Sequence, residues 1–553
     1  MKKKALVLLM LGFVLLFTST VSASETEPKN IALGKTYTVK MRYHNQASIN
    51  DERYYPDTSS ELTNGKYASE KYSDREWTGF AQGFEREVIV DLGENCSLRK
   101  LSANFLRSSA AGIKLPRWVK FEISQDGLRW EEAGRAEYPL KPYDVVDKTV
   151  KYEIEELNLA GRFVRYTIPV EVWIFIDEVE AIGFEGIQDD ARLVQGEVDQ
   201  KLRTGEYIKQ GAIEAGGAKH IMLIYTGHHS DKTIPTWTVD DFLPYVAYME
   251  ANQIKDWFFD SFLFLPLRYS SSGHSYIEAN NISQAANMYD WLEYHEWNFR
   301  KDQQLDALNA AVGKAKEVLG DKDYKAKVIL TTVYPSPVQD YFGDVDEDGE
   351  VENHYYSRPQ AIEAGKKVVK WYLDLLLQSW QEKKYENLEL IGFYWVQEEV
   401  GFASSRFEEA MIQETSRLIH DCGYRFFWIP YLRSGLYYDW ERLGFDAAMM
   451  QPNYMWSNLG KSLLKNNAEL TKAAGMGIEM ELNAFHGQES DTKWLEYLNA
   501  GVEFGYMNDA LLGYYQNVKD VGKAAKLADN NRKIYYDYLY QFVKGTYEIV
   551  PVK

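Results

Sequence analysis

Cysteine is almost missing, with Cys96 and Cys422 the two in 553 residues. That excludes a disulfide framework, and a single bridge between such distant positions is not expected. Stability must come from apolar cores, and the length is ample for at least two. After residue 25 no apolar run is long enough to cross a bilayer, which takes roughly 20 residues. The nine histidines show no HExxH or comparable zinc spacing. A P-loop, a dinucleotide fingerprint after a strand and a GxSxG elbow are all lacking, so nucleotide chemistry and serine hydrolysis are set aside. Basic residues are outnumbered, 62 Lys and Arg against 82 Asp and Glu, giving a formal net charge of -20 spread along the chain. Nucleic acid, anionic membranes and acidic polymers are poor partners for such a surface.

Among what is present, the first residues "MKKKALVLLMLGFVLLFTSTVSASE" join three lysines, a short apolar stretch and small residues ending in Val21-Ser22-Ala23. This is the pattern of a secretory signal peptide, residues 1–23. The mature chain is therefore expected to be extracellular and soluble, with no membrane span. Aromatic residues reach 14%, with 40 Tyr, 25 Phe and 15 Trp. Aromatic faces stack on sugar rings, and they also fill barrel cores, so this composition leans only slightly towards carbohydrate.

Residues 25–187 carry short alternating runs such as "EVIVDLG", "WVKFEISQDGLRW" and "GRFVRYTIPV", separated by Gly and Asp turns. Period-two alternation without a long amphipathic helix predicts an antiparallel β-sandwich. The order of "NIALGKTYTV" (30–39), "LTNGKYAS" (62–69), "WTGFAQGFEREVIVDLG" (77–93) and "PRWVKFEISQDGLRWEEAG" (116–134) resembles discoidin, or coagulation factor 5/8 C-type, modules. The resemblance implies a jelly roll that often binds glycans through loops at one end. Tyr54, Tyr55 and Trp77 could stack on a sugar, and for Trp77 core packing serves equally well. Residues 188–217, polar and ending Gly-rich, read as a linker.

From 218 to 548 apolar strands alternate with longer amphipathic segments. The expected strands are "HIMLIYT", "KDWFFDSFLF", "AKVILTTVY", "LELIGFYWV", "YRFFWIPYL", "DAAMMQPNY", "MGIEMELN" and "GVEFGYMN". Eight alternations predict a (β/α)8 TIM-type barrel, whose reactive groups sit at the carboxyl ends of its strands. Those ends supply Tyr225 and His228, Asp260, then Trp395, Gln397, Glu398 and Glu399, then Tyr431 and Arg433. They also supply Gln451, Asn453, Tyr454 and Trp456, then Glu479, Glu481 and Asn483, and last Tyr506, Asn508 and Asp509. Such a rim suits a sugar: amides and carboxylates for hydroxyls, and aromatic faces for the C–H side of the ring.

Cleavage of a glycosidic bond uses two carboxyl groups, one to protonate the leaving oxygen and one to attack or to activate water. Barrel glycosidases commonly take the acid from the fourth strand and the nucleophile from the seventh, a fold-level analogy that points to Glu398 and Glu481. Strand parity puts Glu479 and Glu481 on one face and Ile478, Met480 and Leu482 on the other, so both glutamates should point into the barrel. Glu399, Glu479 and Asp260 are alternates. Trp395, Gln397, Tyr431, Arg433, Gln451, Asn453, Tyr454, Trp456, Tyr225 and His228 are the candidate substrate contacts. Many barrel glycosidases end their fourth strand in Asn-Glu, and Gln397-Glu398 departs from that pattern.

The run "DVDEDGEVE" places Asp344, Asp346 and Asp348 before Gly349, like the first half of a calcium loop, with Glu352 a further ligand. Position twelve is Tyr355 rather than glutamate, so a structural calcium of another type competes with a plain acidic turn. No other cofactor is required. "HIMLIYTGHHSDKTIPTWTVDDFLPYV", "WFFDSFLFLPL", "FGDVDEDG" and "IGFYWVQEEV" resemble the bacterial extracellular domain of unknown function 4855, across the whole second domain. That resemblance implies a barrel related to glycoside hydrolases and brings no established substrate. The expectation is a secreted, retaining glycoside hydrolase acting on a polysaccharide or cell-surface glycan. The alternative is a noncatalytic glycan-binding or cell-wall adhesion protein.

Overall fold

A computed structural model describes residues 27–552 except 42–52, 55–56, 82–84, 139–146, 171–172, 200–204, 228–234, 280, 402–404, 433, 459, 483–487 and 527–529. The expected signal peptide, Tyr55, His228, Arg433 and Asn483 lie outside the described residues.

The first domain is an almost wholly antiparallel β-sheet domain. At its centre the long strand Arg86–Arg107 pairs along its length with Leu159–Ile168, Trp173–Phe184, Tyr37–Met41 and Lys148–Ile154. Register breaks between Asp91 and Cys96, so one strand can serve two parts of the sheet. Alternation drives the fold as expected: Val88, Val90, Leu101, Phe105, Phe121, Ile123, Val164 and Ile176 are buried in one core. Trp77 is buried in a smaller cluster with Leu106, Ile113 and Phe175, its indole N–H donating to the Ser69 carbonyl at 3.0 Å. The stretch read as the start of a linker belongs to this domain. Arg192–Leu193 pairs with Leu159–Ala160, Glu197–Val198 pairs with Arg129–Trp130, and Asp199 bonds the buried Arg165 guanidinium, which Glu122 holds from the other side. Short polar strands leave little periodicity to read, which is why composition alone suggested a linker.

The second domain is a closed barrel of eight parallel strands. They are β1 His220–Thr226, β2 Ser261–Pro266, β3 Ala326–Thr331, β4 Leu388–Trp395, β5 Arg425–Trp428, β6 Ala447–Met450, β7 Gly477–Glu481 and β8 Leu512–Tyr515. β1 closes on β8, His220 opposite Leu512. Most of the strands read as mainly apolar runs because both faces are covered, β7 with its two glutamates being the exception. Helices such as Gln304–Leu319, Ala361–Lys383 and Ser405–Asp421 lie between them in the chain. In Ala361–Lys383, Val368, Val369, Tyr372, Leu373 and Leu376 form the buried stripe, and left-handed Lys384 ends the helix. Residues 206–217 form a floor at the amino ends of the strands. The Tyr207 hydroxyl donates to the carbonyls of Ala468 and Phe504, and Ile208 bridges Met476 and Leu511 through its backbone.

Two strand expectations need correction. "GVEFGYMN" is the end of the helix Gln488–Glu503 and the short helix Tyr506–Asp509, and β8 is the following "LGYY". Its aromatic alternation imitates a strand, but Gly505 at φ 80° turns one helix into the next. "KDWFFDSFLF" is also two elements: Gln253–Trp257 pairs with Ala247–Glu250 in a hairpin, and β2 begins at Ser261.

Candidate functional site

Strand pairing fixes which side chains enter the barrel. In β7, Gly477, Glu479 and Glu481 share a face, and a Cβ added at Gly477 would stand 2.9 Å from Met449, while one added at Gly513 would stand 3.6 Å from the Glu479 Cγ. These two glycines leave the room that Met449 and Glu479 fill. Tyr394 of β4 and Tyr515 of β8 fall on the same inner face by register, Tyr394 beside Thr331 and Phe427, Tyr515 beside Glu481. Tyr225 of β1 and Trp456 each meet Tyr515 edge to face, centroids 5.5 Å apart in both pairs. Trp456 is 53% exposed and Tyr431 42%, so two aromatic faces are open to a ligand at the mouth.

Three glutamates occupy three different environments. Glu481 is buried and saturated: its Oε1 accepts the Asn453 N–H at 2.9 Å, and its Oε2 accepts the Met455 N–H at 3.3 Å and the Tyr497 hydroxyl. Burial pushes it up to about 7 against those donors, which favour the charged form. Glu479 is buried one step deeper, and among the described residues none hydrogen-bonds or ion-pairs with it. Burial, then the charges of Glu481 and Glu398, hold it well above the usual carboxylate range. Glu398 is exposed, and desolvation by the protein around it raises it. The Gln451 side chain opposes the rise, Glu399 adds to it and Arg268 reduces it. Tyr225, Tyr394 and Tyr515 all lie in the field of both Glu398 and Glu479, their phenols raised first by burial and then by these charges.

The other expected residues divide into those at the mouth and those elsewhere. Gln451 and Asn453 line the turn after β6, Asn453 in the left-handed region at φ 54°. Gln397 is buried and fastens loops, its Oε1 accepting the Glu278 N–H at 2.8 Å and its carbonyl the Trp428 indole N–H at 2.8 Å. Tyr454 is also buried, donating to Glu496. Glu399 is half-buried beside Glu398 and within the field felt by Tyr334. Trp395 does not reach the lumen: it is 1% exposed and packs against Tyr334 and Phe426 on the helix side. Parity gives the reason, since Gly392 and Tyr394 face inward and their neighbours face out. Asp260 precedes β2 instead of ending it, and so sits at the opposite end of the barrel. There it accepts the His220 N–H at 2.8 Å and lies 3.4 Å from the Lys327 ammonium. Tyr506, Asn508 and Asp509 precede β8 and are likewise away from the mouth. Tyr394 could have been found by applying to β4 the parity argument used for β7; Tyr515 was hidden by the misplaced last strand.

The acidic turn assembles much as its spacing suggests. Carboxylate oxygens of Asp344, Asp346 and Asp348 lie within 4.8 Å of one another. The Lys367 ammonium stands 2.7 Å from Asp346, 3.2 Å from Asp348 and 3.5 Å from Glu352. Asp344 accepts the Gly349 N–H at 2.9 Å, and Glu352 the Val345 N–H at 3.0 Å. A calcium ion here would have to compete with that ammonium.

The fold and mouth define a two-part chain, an antiparallel β domain followed by a parallel barrel with carboxylates and aromatics at its carboxyl end. Residues 220–541 match the family described as "Domain of unknown function (DUF4855)", more than half of the chain, and the protein belongs to that family. The β-sandwich is similar to carbohydrate-binding modules of known structure. One is described as CpGH89CBM32-6 produced by Clostridium perfringens (18% identity, 28% of this chain and 99% of that one, TM-score 0.19). Others are the lectin domain of lectinolysin complexed with Lewis B antigen (14%, 29% and 100%, 0.21) and a Streptococcus pneumoniae fucose binding module, SpX-3 (16%, 28% and 99%, 0.20). No curated protein matches the sequence. No helix among the described residues is long and apolar enough to cross a membrane.

Proposed function

We propose that the chain is an exported bacterial glycoside hydrolase, a jelly-roll module joined to a TIM-type barrel that cuts a polysaccharide or cell-surface glycan with two carboxyl groups. The observation that carries this reading is the pair Glu398 and Glu479: the charge of Glu398 helps to raise Glu479, and Tyr225, Tyr394 and Tyr515 each lie in the field of both. Glycosidic cleavage needs one carboxyl that holds a proton and one that is ionised. Two environments that push such groups apart identify which is which. Glu479, deeper and without a donor among the described residues, keeps its proton. Glu398, open to water, is raised less far and loses its proton first. Glu479 is then the acid and Glu398 the ionised partner, while Glu481, with both oxygens engaged, is a positioning residue for the turn 453–455. This exchanges the roles expected from strand position alone. Trp456 and Tyr431 provide the stacking faces, and the leader-like residues 1–23 support export.

The test is product release from a broad polysaccharide panel, soluble sugars being read by mass spectrometry, for the parent and for Glu398→Gln and Glu479→Gln. Release by the parent that falls at least about 100-fold in both folded variants supports the reading. The anomer formed first, followed by NMR, separates retention from inversion. Binding without release in all three assigns the mouth to a noncatalytic glycan-binding or adhesion protein.

A further inference from the structure

We infer that the β-sandwich is a fixed wall of the barrel mouth, and that Arg117 of the sandwich is a positioning residue for the segment bearing Glu398. This rests on the reading of Glu398 as a reacting group. The sandwich strands Trp118–Ser124 and Arg129–Glu137 pair with Trp118 opposite Glu137 and Lys120 opposite Arg135. Arg117, Arg135 and Glu137 therefore gather at one end of that hairpin, and this end meets the barrel where β4 runs into the helix Ser405–Asp421.

Among the described residues, three side-chain contacts cross from this end of the hairpin to the barrel. Arg117, 5% exposed, donates to the Gly401 carbonyl at 2.9 Å, three residues beyond Glu398. Arg135, stacked over the Trp118 ring at 4.6 Å, pairs with Glu409 at 3.2 Å, and Arg442 of the barrel holds the other oxygen of Glu409 at 3.2 Å. Arg406 pairs with Glu137 at 3.4 Å, an exposed contact that contributes little. Glu409 is nearly buried, and removing one partner from a buried ion pair costs far more than breaking a surface pair.

The barrel grips the same segment from its own side. The Gly401 N–H donates to Glu408 at 2.6 Å, the Tyr334 hydroxyl donates to the same carboxylate at 3.3 Å, and the Glu398 carbonyl accepts the Tyr431 N–H at 3.1 Å. The sandwich thus supplies one of the hydrogen bonds that fix the strand-to-helix turn carrying Glu398. The ends of the connecting chain are tied as well, Asp199 to Arg165 in the sandwich and Tyr207 to the barrel floor.

Hydrogen exchange followed by mass spectrometry on the full chain tests this, with Arg117→Ala, Arg117→Lys and the remote surface variant Arg192→Ala. Arg117→Ala should speed amide exchange in residues 396–401 by about tenfold, Arg117→Lys by less, and Arg192→Ala should leave the segment unchanged. In the same preparations the limb of the pH–rate profile set by Glu398 should move in Arg117→Ala and return towards the parent in Arg117→Lys. If Arg117→Ala fails to fold, the Lys variant carries the comparison. Unchanged exchange at 396–401 in any folded Arg117 variant overturns the inference. If the parent releases no sugar while exchange responds as expected, the positioning stands and the hydrolase reading falls.

Discussion

Glu481 shows how a carboxylate at a strand end can be consumed by structure. Its oxygens satisfy the backbone of Asn453 and Met455 and the hydroxyl of Tyr497. In Glu481→Gln an amide NH2 would face at least one of those donors, leaving a buried donor unpaired at a cost of about 1–3 kcal/mol. Urea unfolding of this variant should show that loss in its midpoint, while a Glu479→Gln protein, which sacrifices no hydrogen bond, should unfold near the parent. Trp456 makes the opposite prediction. It stands in solvent over Tyr515, so Trp456→Ala should leave stability alone and remove a stacking face worth about 1 kcal/mol. In the hydrolysis assay that appears as a KM raised about fivefold with kcat kept. A fall in kcat alone would place Trp456 outside the ground-state binding site.

At the scale of elements, the barrel depends on glycines where strands approach closely. Gly392 of β4 lies opposite Arg425 of β5, and a Cβ there would stand 2.3 Å from the Arg425 carbonyl and 2.6 Å from the Phe427 ring. Both are parts of the neighbouring strand, so neither can yield without moving it. Gly392→Ala should cost about 1–3 kcal/mol or more, read as a lowered melting temperature. Of the other six strands, β1 and β3 to β6 were legible as mainly apolar runs covered on both faces, and β7 by the alternation of Glu479 and Glu481 with Ile478 and Met480. β2 was blurred because Trp257, Phe258 and Phe259 carry the apolar run back into the hairpin strand, and β8 because the aromatic helix end just before it imitates a strand. The glutamates of β7 were legible by parity, and the same parity would have exchanged Trp395 for Tyr394. What no periodicity could show is that the loop after β6 folds back onto Glu481, since that depends on the left-handed turn at Asn453 and on Tyr497 from a distant helix.

For the whole molecule, several buried carboxyls are raised at once, and their sum shapes stability against pH. In the sandwich, burial lifts Glu178 to about 8 and Asp177 to about 6, against hydrogen bonds from Gly65 and from Asn104 respectively, and in the barrel Glu481 is lifted to about 7. Each of these groups keeps its proton in the folded chain after the unfolded chain has lost it, so the folded state binds more protons throughout the window. Stability from such a group is fully present below its unfolded value near 4 and falls as pH rises towards the folded value, by at most about 1.4 kcal/mol per pH unit. Carboxylates lowered by their partners, such as Asp241 beside Lys519 and Asp290 beside Asn287, act the other way and are lost as pH falls. The difference between a variant and its parent isolates one group from this sum. Glu178→Gln keeps a neutral acceptor for the Gly65 N–H and removes the ionisation, so its melting temperature should approach or exceed that of the parent as pH rises from about 5 to 8. A constant offset across that range would mean that Glu178 ionises as freely in the folded sandwich as in the unfolded chain, and that its burial is relieved by water.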